Sequence, residues 1–273
     1  MKHTITFIGA GNMAEAIITG LINTGCPKER IFVTNKSNNE RLIYMNNNYG
    51  IGVNHDREIK ELIDQSEVVI LAMKPKDLFP ALDHLRSHLQ NNQLIISVLA
   101  GTSSKQISDY LGTQNPIVRA MPNTSATVGE SATGIARGAN ADDSHLRIAE
   151  EIFSAIGTTT IVDEEDLHLV TGLAGSGPAY IYRIVESLEQ AAVTLGLEQE
   201  AAKALVRQVI VGAAEMLKDL DVDPGELRRK VTSPGGTTAA GLEALENNQL
   251  SKALFEAVKE ATIRSQELGK QQY

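Results

Sequence analysis

The sequence predicts an α/β protein in two parts: a doubly wound, mostly parallel sheet over residues 1–163 and an all-α part over residues 164–273. Three observations predict it. A short apolar run, Thr4-Ile5-Thr6-Phe7-Ile8, breaks into a glycine turn and then into a helix. Short runs rich in Ile and Val then alternate with amphipathic stretches as far as Val162. After Asp163 only helical periodicity remains. The alternation is the mark of parallel strands joined by crossover helices.

The first run, with Ile5, Phe7 and Ile8, reads as a buried strand. The turn after it is Gly9-Ala10-Gly11-Asn12-Met13-Ala14, a Gly-x-Gly-x-x-Ala form of the dinucleotide fingerprint. Gly9 permits the tight turn. Gly11 has no Cβ, so a pyrophosphate can approach the backbone. Ala14 lets the helix pack close to the strand. The helix start offers unpaired N–H groups and the positive end of its dipole to the phosphates. The plainer alternative is a glycine turn without a ligand.

The first helix carries Ala14, Ile17, Ile18 and Leu21 on its apolar stripe and stops at Gly25. Residues 31–34 form the second strand. An NAD enzyme usually follows this strand with a carboxylate for the ribose 2′-hydroxyl. Here the place holds Asn35-Lys36-Ser37. The charge of Lys36 and the hydroxyl of Ser37 suit a 2′-phosphate, which favours NADP over NAD. Residues 58–65 read as a helix and 68–71 as a doubly buried strand, which ends in Ala72-Met73-Lys74-Pro75. Lys74 thereby faces the crevice where open α/β sheets bind ligands. Residues 78–89 are amphipathic. The strand at 94–98 ends in Leu99-Ala100-Gly101, and that at 116–120 in Met121-Pro122-Asn123-Thr124. A helix over 142–156 and a last strand over 159–162 complete the first part.

In the second part Ser176 is placed as an N-cap, with Pro178 in the first turn of a helix running to Gly196. A second helix spans 198–220 and is rich in Ala and Val. Helices apolar over more than one stripe bury more than one face, and a dimer interface is the natural use. Pro224 opens a short helix to Val231. Then comes Ser233-Pro234-Gly235-Gly236-Thr237-Thr238, followed by two more helices to Leu268. Adjacent glycines before a helix start form a carboxylate-binding geometry that needs no cation. A loop with Thr as a helix cap is the alternative.

Composition narrows the function. With 25 basic and 34 acidic residues the formal charge is −9, against a nucleic-acid surface. The single Cys26 excludes an intramolecular disulfide and a Cys-based zinc site, so no metal is expected. One reduced Cys fits a cytoplasmic protein. No apolar run approaches the roughly 20 residues of a membrane span.

Five motifs in order carry a resemblance: Ile8-Gly9-Ala10-Gly11-Asn12-Met13, Ala72-Met73-Lys74-Pro75, Arg119-Ala120-Met121-Pro122-Asn123-Thr124, Gly172-Leu173-Ala174-Gly175-Ser176-Gly177-Pro178-Ala179-Tyr180 and residues 233–238. Together they resemble pyrroline-5-carboxylate reductase over essentially the whole chain. The resemblance implies a Rossmann domain, a helical dimerisation domain and, in this family, further assembly of dimers into decamers. It implies reduction of Δ1-pyrroline-5-carboxylate to proline by NADPH, or less often NADH. It places the pyrophosphate on Gly9, Ala10, Gly11, Asn12 and Met13, and the adenosine phosphate at Asn35, Lys36 and Ser37. Met73, Lys74, Pro75 and Ala100 fall on the nicotinamide side. Glu164, Ser233, Gly235, Gly236, Thr237 and Thr238 hold the substrate, with Thr238 as the catalytic residue beside the ring nitrogen. Three positions depart from the family: Lys36 stands where Arg is usual, Ile59 near an expected Asn, and Lys230 in place of a frequent substrate-side Asn. A 3-hydroxy-acid dehydrogenase would carry a Lys on the first long helix of the second domain, and none lies between Pro178 and Leu195. A paralogue with a shifted imine substrate and a non-catalytic NADP-binding regulator stay open at this point.

Overall fold

The computed structural model describes residues 2–55, 59–219 and 222–270. Within them the chain divides into two compact units, Met1–Ser176 with Lys259–Tyr273, and Gly177–Val258.

The first unit is built on one eight-stranded sheet of order β3-β2-β1-β4-β5-β6-β7-β8. Its strands are β1 (Ile5–Ile8), β2 (Ile31–Asn35), β3 (Gly52–His55), β4 (Val68–Leu71), β5 (Leu94–Ser97), β6 (Ile117–Met121), β7 (Ser131–Arg137) and β8 (Gly157–Val162). The first six run parallel; β7 is antiparallel to β6, and β8 is parallel to β7. Phe7 sits between Val33 and Ile70 in this register. The chain winds from β1 outward to β3, then returns to place β4 on the other side of β1. That reversal is the switch point at which doubly wound sheets open a crevice.

Alternation along the strands supplies both faces. Val68 and Ile70 join the core under α1 (Asn12–Asn23), α2 (Asn39–Tyr49) and α6 (Asp143–Phe153). Val69 and Leu71 join the core under α3 (Ile59–Gln65), α4 (Leu78–Leu85) and α5 (Ser104–Leu111). A strand covered on both sides has no polar face, which is why β4 reads as an unbroken apolar run. The expected start of α3 at Glu58 lies outside the described residues.

Four elements of the first 163 residues are absent from the sequence reading: α2, β3, α5 and β7. Their sequences, NERLIYMNNNY, GVNH, SKQISDYL and SATGIAR, hold few large apolar residues. They take their form from pairing and docking rather than from their own periodicity.

Residues after β8 pass through a short 3-10 turn (Glu164–Asp166), α7 (Leu167–Val170) and a π-helical turn (Thr171–Gly175). Ser176 is therefore helical, φ −88° and ψ −19°, and its N–H donates to the Thr171 carbonyl at 2.9 Å. It does not act as the expected N-cap, because the chain enters the next helix already coiled.

The second unit holds α8 (Gly177–Thr194), α9 (Gln199–Met216), α10 (Pro224–Lys230), α11 (Thr237–Asn247) and the first part of α12 (Leu250–Lys270). The expected end of α9 at Leu220 lies outside the described residues. Among the described residues of this unit only Ala202 is buried. Val209, Tyr182 and Phe255 are each more than 60% exposed. One copy of the chain leaves these apolar faces in water, a patch of the kind that marks a protein interface.

Candidate active site

A cleft of about 770 Å³ opens where β1, β2 and β4 end. This size is in the ordinary range for small-molecule sites. It is lined by Gly9, Ala10, Gly11, Asn12 and Met13 from the first turn, by Asn35, Lys36 and Ser37 after β2, and by Met73 and Lys74 after β4. Ten of the twelve coenzyme residues expected from the sequence thus share one cleft. Pro75 and Ala100 do not line it. Pro75 opens the 3-10 turn Pro75–Asp77, and Ala100 packs with Met121, Ala136 and Leu167.

The turn is locked from two sides. Gly9 has φ +109°, and its N–H donates to the Thr34 carbonyl at 2.9 Å. A Cβ there would lie 2.7 Å from the Ala72 carbonyl oxygen. Gly11 caps α1 in an extended conformation with no side-chain cap hydrogen bond. The first N–H groups of α1 are therefore left for an anion. A Cβ on Gly11 would meet nothing nearer than 3.9 Å, so the space beside this backbone is open. Lys36, Lys74 and Lys76 line the same cleft, and among the described residues none of them has an ion-pair partner. Thr34 also lines it, and among the described residues its buried hydroxyl has no hydrogen-bond partner. An uncapped helix start, unspent cations and an orphan hydroxyl in one cleft fit a dinucleotide phosphate.

Lys76 and His84 are lining residues that sequence reasoning missed. They belong to the 3-10 turn and to α4, beyond the motif that announced Lys74. Ile59 also lines the cleft, so an apolar side chain occupies the place where the resemblance anticipates an Asn.

In the second unit, residues 233–238 form a tight turn into α11. Gly235 has φ +68°, and the Gly236 N–H donates to the Ser233 carbonyl at 3.0 Å. Gly236 is the N-cap and makes no side-chain cap bond. Thr237 and Thr238 are the first two helical residues, so neither is the cap. The expected use of the Gly236 amide for a ligand is corrected here: the turn itself consumes it. The amides at the start of α11 stay open.

The family models match the two ends of the chain. Residues 164–268 match the model described as pyrroline-5-carboxylate reductase dimerisation. Residues 4–101 match the one described as NADP oxidoreductase coenzyme F420-dependent. The chain is 42% identical to pyrroline-5-carboxylate reductase 2 of Bacillus subtilis (strain 168), over 98% of this chain and 95% of that protein. The chain belongs to the pyrroline-5-carboxylate reductase family. Among solved structures, a pyrroline-5-carboxylate reductase from Coxiella burnetii superposes with a TM-score of 0.92 at 37% identity, covering 98% of this chain and 99% of that one. The pyrroline carboxylate reductase of Plasmodium falciparum, solved with NADP bound, gives 0.84 at 30% identity and covers 98% of each chain.

As a reductase of this family the chain has three residues whose placement is informative. The resemblance puts Glu164 on the substrate, but the structure commits its carboxylate elsewhere. It accepts the N–H of Ser104 at 2.6 Å, the Ser104 hydroxyl, and Arg119 Nη1 at 3.4 Å. Arg119 is 2% exposed, and burial pulls its pKa down while Glu164 opposes the shift. A buried guanidinium needs that counter-charge. Asn123, just after β6, is likewise bonded within the protein. Its side chain accepts the Ser125 N–H and donates to the Ala174 carbonyl, both at 3.0 Å. Lys230 spends its charge on Glu226, one turn earlier in α10, at 2.8 Å.

Proposed function

We propose that this chain reduces Δ1-pyrroline-5-carboxylate to L-proline with a hydride from NADPH, NADH being the less favoured donor. The observation that carries the reading is the 42% identity to a pyrroline-5-carboxylate reductase across nearly the whole length of both chains. Two local geometries support it. The Gly9 turn with Lys36 suits a dinucleotide that carries a 2′-phosphate. The start of α11 suits a small carboxylate.

The coenzyme, when bound, supplies the hydride; position and electrostatics are the protein's share. Gly9, Ala10, Gly11, Asn12 and Met13 hold the pyrophosphate. Asn35, Lys36 and Ser37 hold the adenosine phosphate. Met73, Lys74, Pro75 and Ala100 border the nicotinamide side. Ser233, Gly235, Gly236 and Thr237 shape the turn that receives the substrate carboxylate, and the Thr238 hydroxyl orients the ring nitrogen. A Thr hydroxyl is a poor general acid, so Thr238 would orient the ring nitrogen and leave its protonation to water.

Residues 1–163 are the dinucleotide-binding domain in this reading and 164–273 the substrate-binding and dimerisation domain. The exposed apolar helices support a homodimer, and assembly of dimers into a decamer follows the family habit. Among the described residues no helix is long and apolar enough to cross a membrane. A buried free Cys26 suits a reducing cytoplasm. The net charge of −9 argues against a nucleic-acid partner.

The assay follows NADPH consumption by the purified protein with pyrroline-5-carboxylate, then with a 3-oxo acid. Turnover of the imine alone is the expected result. Turnover of the oxo acid alone, or of neither, overturns the reading.

A further inference from the structure

Arg41 lies outside every motif described above, in the first turn of α2. Its Nε donates to the carbonyl of Ala10, between the two glycines of the dinucleotide turn, at 2.8 Å. Its Nη2 donates to the carboxylate of Glu15 in the first turn of α1. The second oxygen of Glu15 accepts the Tyr49 hydroxyl at 2.6 Å. The Arg41 guanidinium also lies over the Tyr44 ring, 4.8 Å from its centroid. The backbone is fixed in the same place. Asn38, which lines the cleft, accepts the Arg41 N–H at 2.9 Å, and Asn35 accepts those of Ser37 and Asn38 at 3.2 Å each. One side chain therefore ties the loop after β2 to the turn after β1.

The charges explain why this matters. Glu15 is the only carboxylate in the first turn of α1, the turn whose N–H groups are free to bind an anion. Its side chain and that of Arg41 are 21% and 22% exposed, so water screens them incompletely. An unpaired carboxylate there would repel a pyrophosphate. Burial acts to raise the Glu15 pKa, but the hydrogen bonds from Tyr49 and Arg41 outweigh it and hold the group below its ordinary value. Glu15 is thus ionised, and Arg41 is its cationic partner.

We propose that Arg41 is a positioning residue for the coenzyme: it holds the Ala10 carbonyl in the turn and cancels the charge of Glu15, so that the start of α1 receives the pyrophosphate. The inference rests on the coenzyme reading above. Arg41 touches protein groups only, so its effect falls on NADPH affinity and leaves turnover at saturating NADPH unchanged.

The test is a fluorescence titration of the full-length protein with NADPH, with the melting temperature of every variant measured alongside. Arg41→Ala is expected to weaken NADPH about 10-fold or more, the scale of a lost charge-assisted contact. Glu15→Gln alone is expected to change it less than about twofold. The double variant is expected to bind several-fold better than Arg41→Ala, because the uncompensated carboxylate is gone. A merely structural role would not give that rescue at an unchanged melting temperature. Arg41→Lys keeps the charge and loses the hold on Ala10. It is expected to bind a few-fold more weakly than the unaltered protein, and it carries the test if Arg41→Ala does not fold. Unchanged affinity in Arg41→Ala or in Arg41→Lys, or a double variant no better than Arg41→Ala, overturns the proposal. If the unaltered protein binds no NADPH, the coenzyme reading falls first and the role of Arg41 with it.

Discussion

Gly9 and Ala72 meet back to back, with the Ala72 carbonyl where a Gly9 side chain would begin; an added Cβ would lie 2.7 Å from that oxygen. The end of β4 thus presses on the turn after β1, and neither backbone can retreat without breaking a ladder. Gly9→Ala combines this clash with a φ of +109°, a strain of about 1–3 kcal/mol before any relaxation. It is expected to lower the melting temperature and to weaken NADPH at least about 10-fold. Gly11→Ala separates the two effects, because a Cβ there has room within the protein. That variant should melt like the unaltered chain and still bind NADPH poorly. Normal NADPH affinity in Gly11→Ala would sink the pyrophosphate assignment.

Lys36 decides between the two nicotinamide coenzymes if the cleft is used as proposed. It lines the cleft beside Ser37, and the stretch Asn35-Lys36-Ser37 after β2 carries no carboxylate to hold a ribose 2′-hydroxyl. A charge-assisted contact to phosphate contributes roughly 1.5–3 kcal/mol. Lys36→Ala is therefore expected to raise KM for NADPH about 10-fold or more and to leave KM for NADH nearly unchanged. Lys36→Arg should lower KM for NADPH, since a guanidinium grips phosphate through two donors. Equal changes for both coenzymes in steady-state kinetics would show that Lys36 does not read the 2′-phosphate.

The parts of this fold that were legible in advance are those whose residues announce themselves locally. Each of β1, β4 and β5 is an apolar run between turns, and the stripe of α1 is regular, so the sheet centre and the Gly9 turn could be read directly. Elements that depend on a neighbour were not legible. The α2 helix buries only Leu42 and Met45 behind an Asn-rich surface, and β7 is made of small residues that acquire strand form by pairing with β6 and β8. Arg41 was missed for the same reason: nothing in a polar helix marks a side chain that reaches back over about 30 residues of chain to Ala10. The bonds of Glu164 to Ser104 and Arg119 were equally hidden, because they join residues 60 and 45 positions apart.

His168 should give stability a pH dependence of definite sign. Burial lowers its pKa below 6.5, and the charge of Arg119 adds to the shift against a weaker opposing pull from Glu164. Its Nδ1 shares a 3.0 Å hydrogen bond with Ser265 Oγ of α12. Above pH 6.5 the ring is neutral in both states and contributes nothing to the slope. As the pH falls through 6.5 the unfolded chain takes the proton first, so stability declines until the lower folded value is reached. Urea midpoints at about pH 7.5 and about pH 5.5 bracket this window. The unaltered protein is expected to lose more stability between them than His168→Gln. Equal losses would show that the ring titrates alike in both states.

Thr238 is exposed and second in α11, where its side chain caps nothing. Replacing it with Ala removes a hydroxyl without opening a cavity, and Ala is the better helix former. The melting temperature of Thr238→Ala is therefore expected to match or slightly exceed that of the unaltered chain. If the hydroxyl orients the substrate nitrogen, turnover falls about 10-fold or more, the scale of one positioned hydrogen bond. NADPH affinity is expected to stay the same, because Thr238 is not among the residues that line the coenzyme cleft. Thr238→Ser keeps the hydroxyl and should keep most of the rate. Since stability, coenzyme affinity and turnover are read separately, a folding defect cannot imitate the result. Undiminished turnover in Thr238→Ala would remove the hydroxyl from the mechanism and leave substrate orientation to the backbone amides at the start of α11.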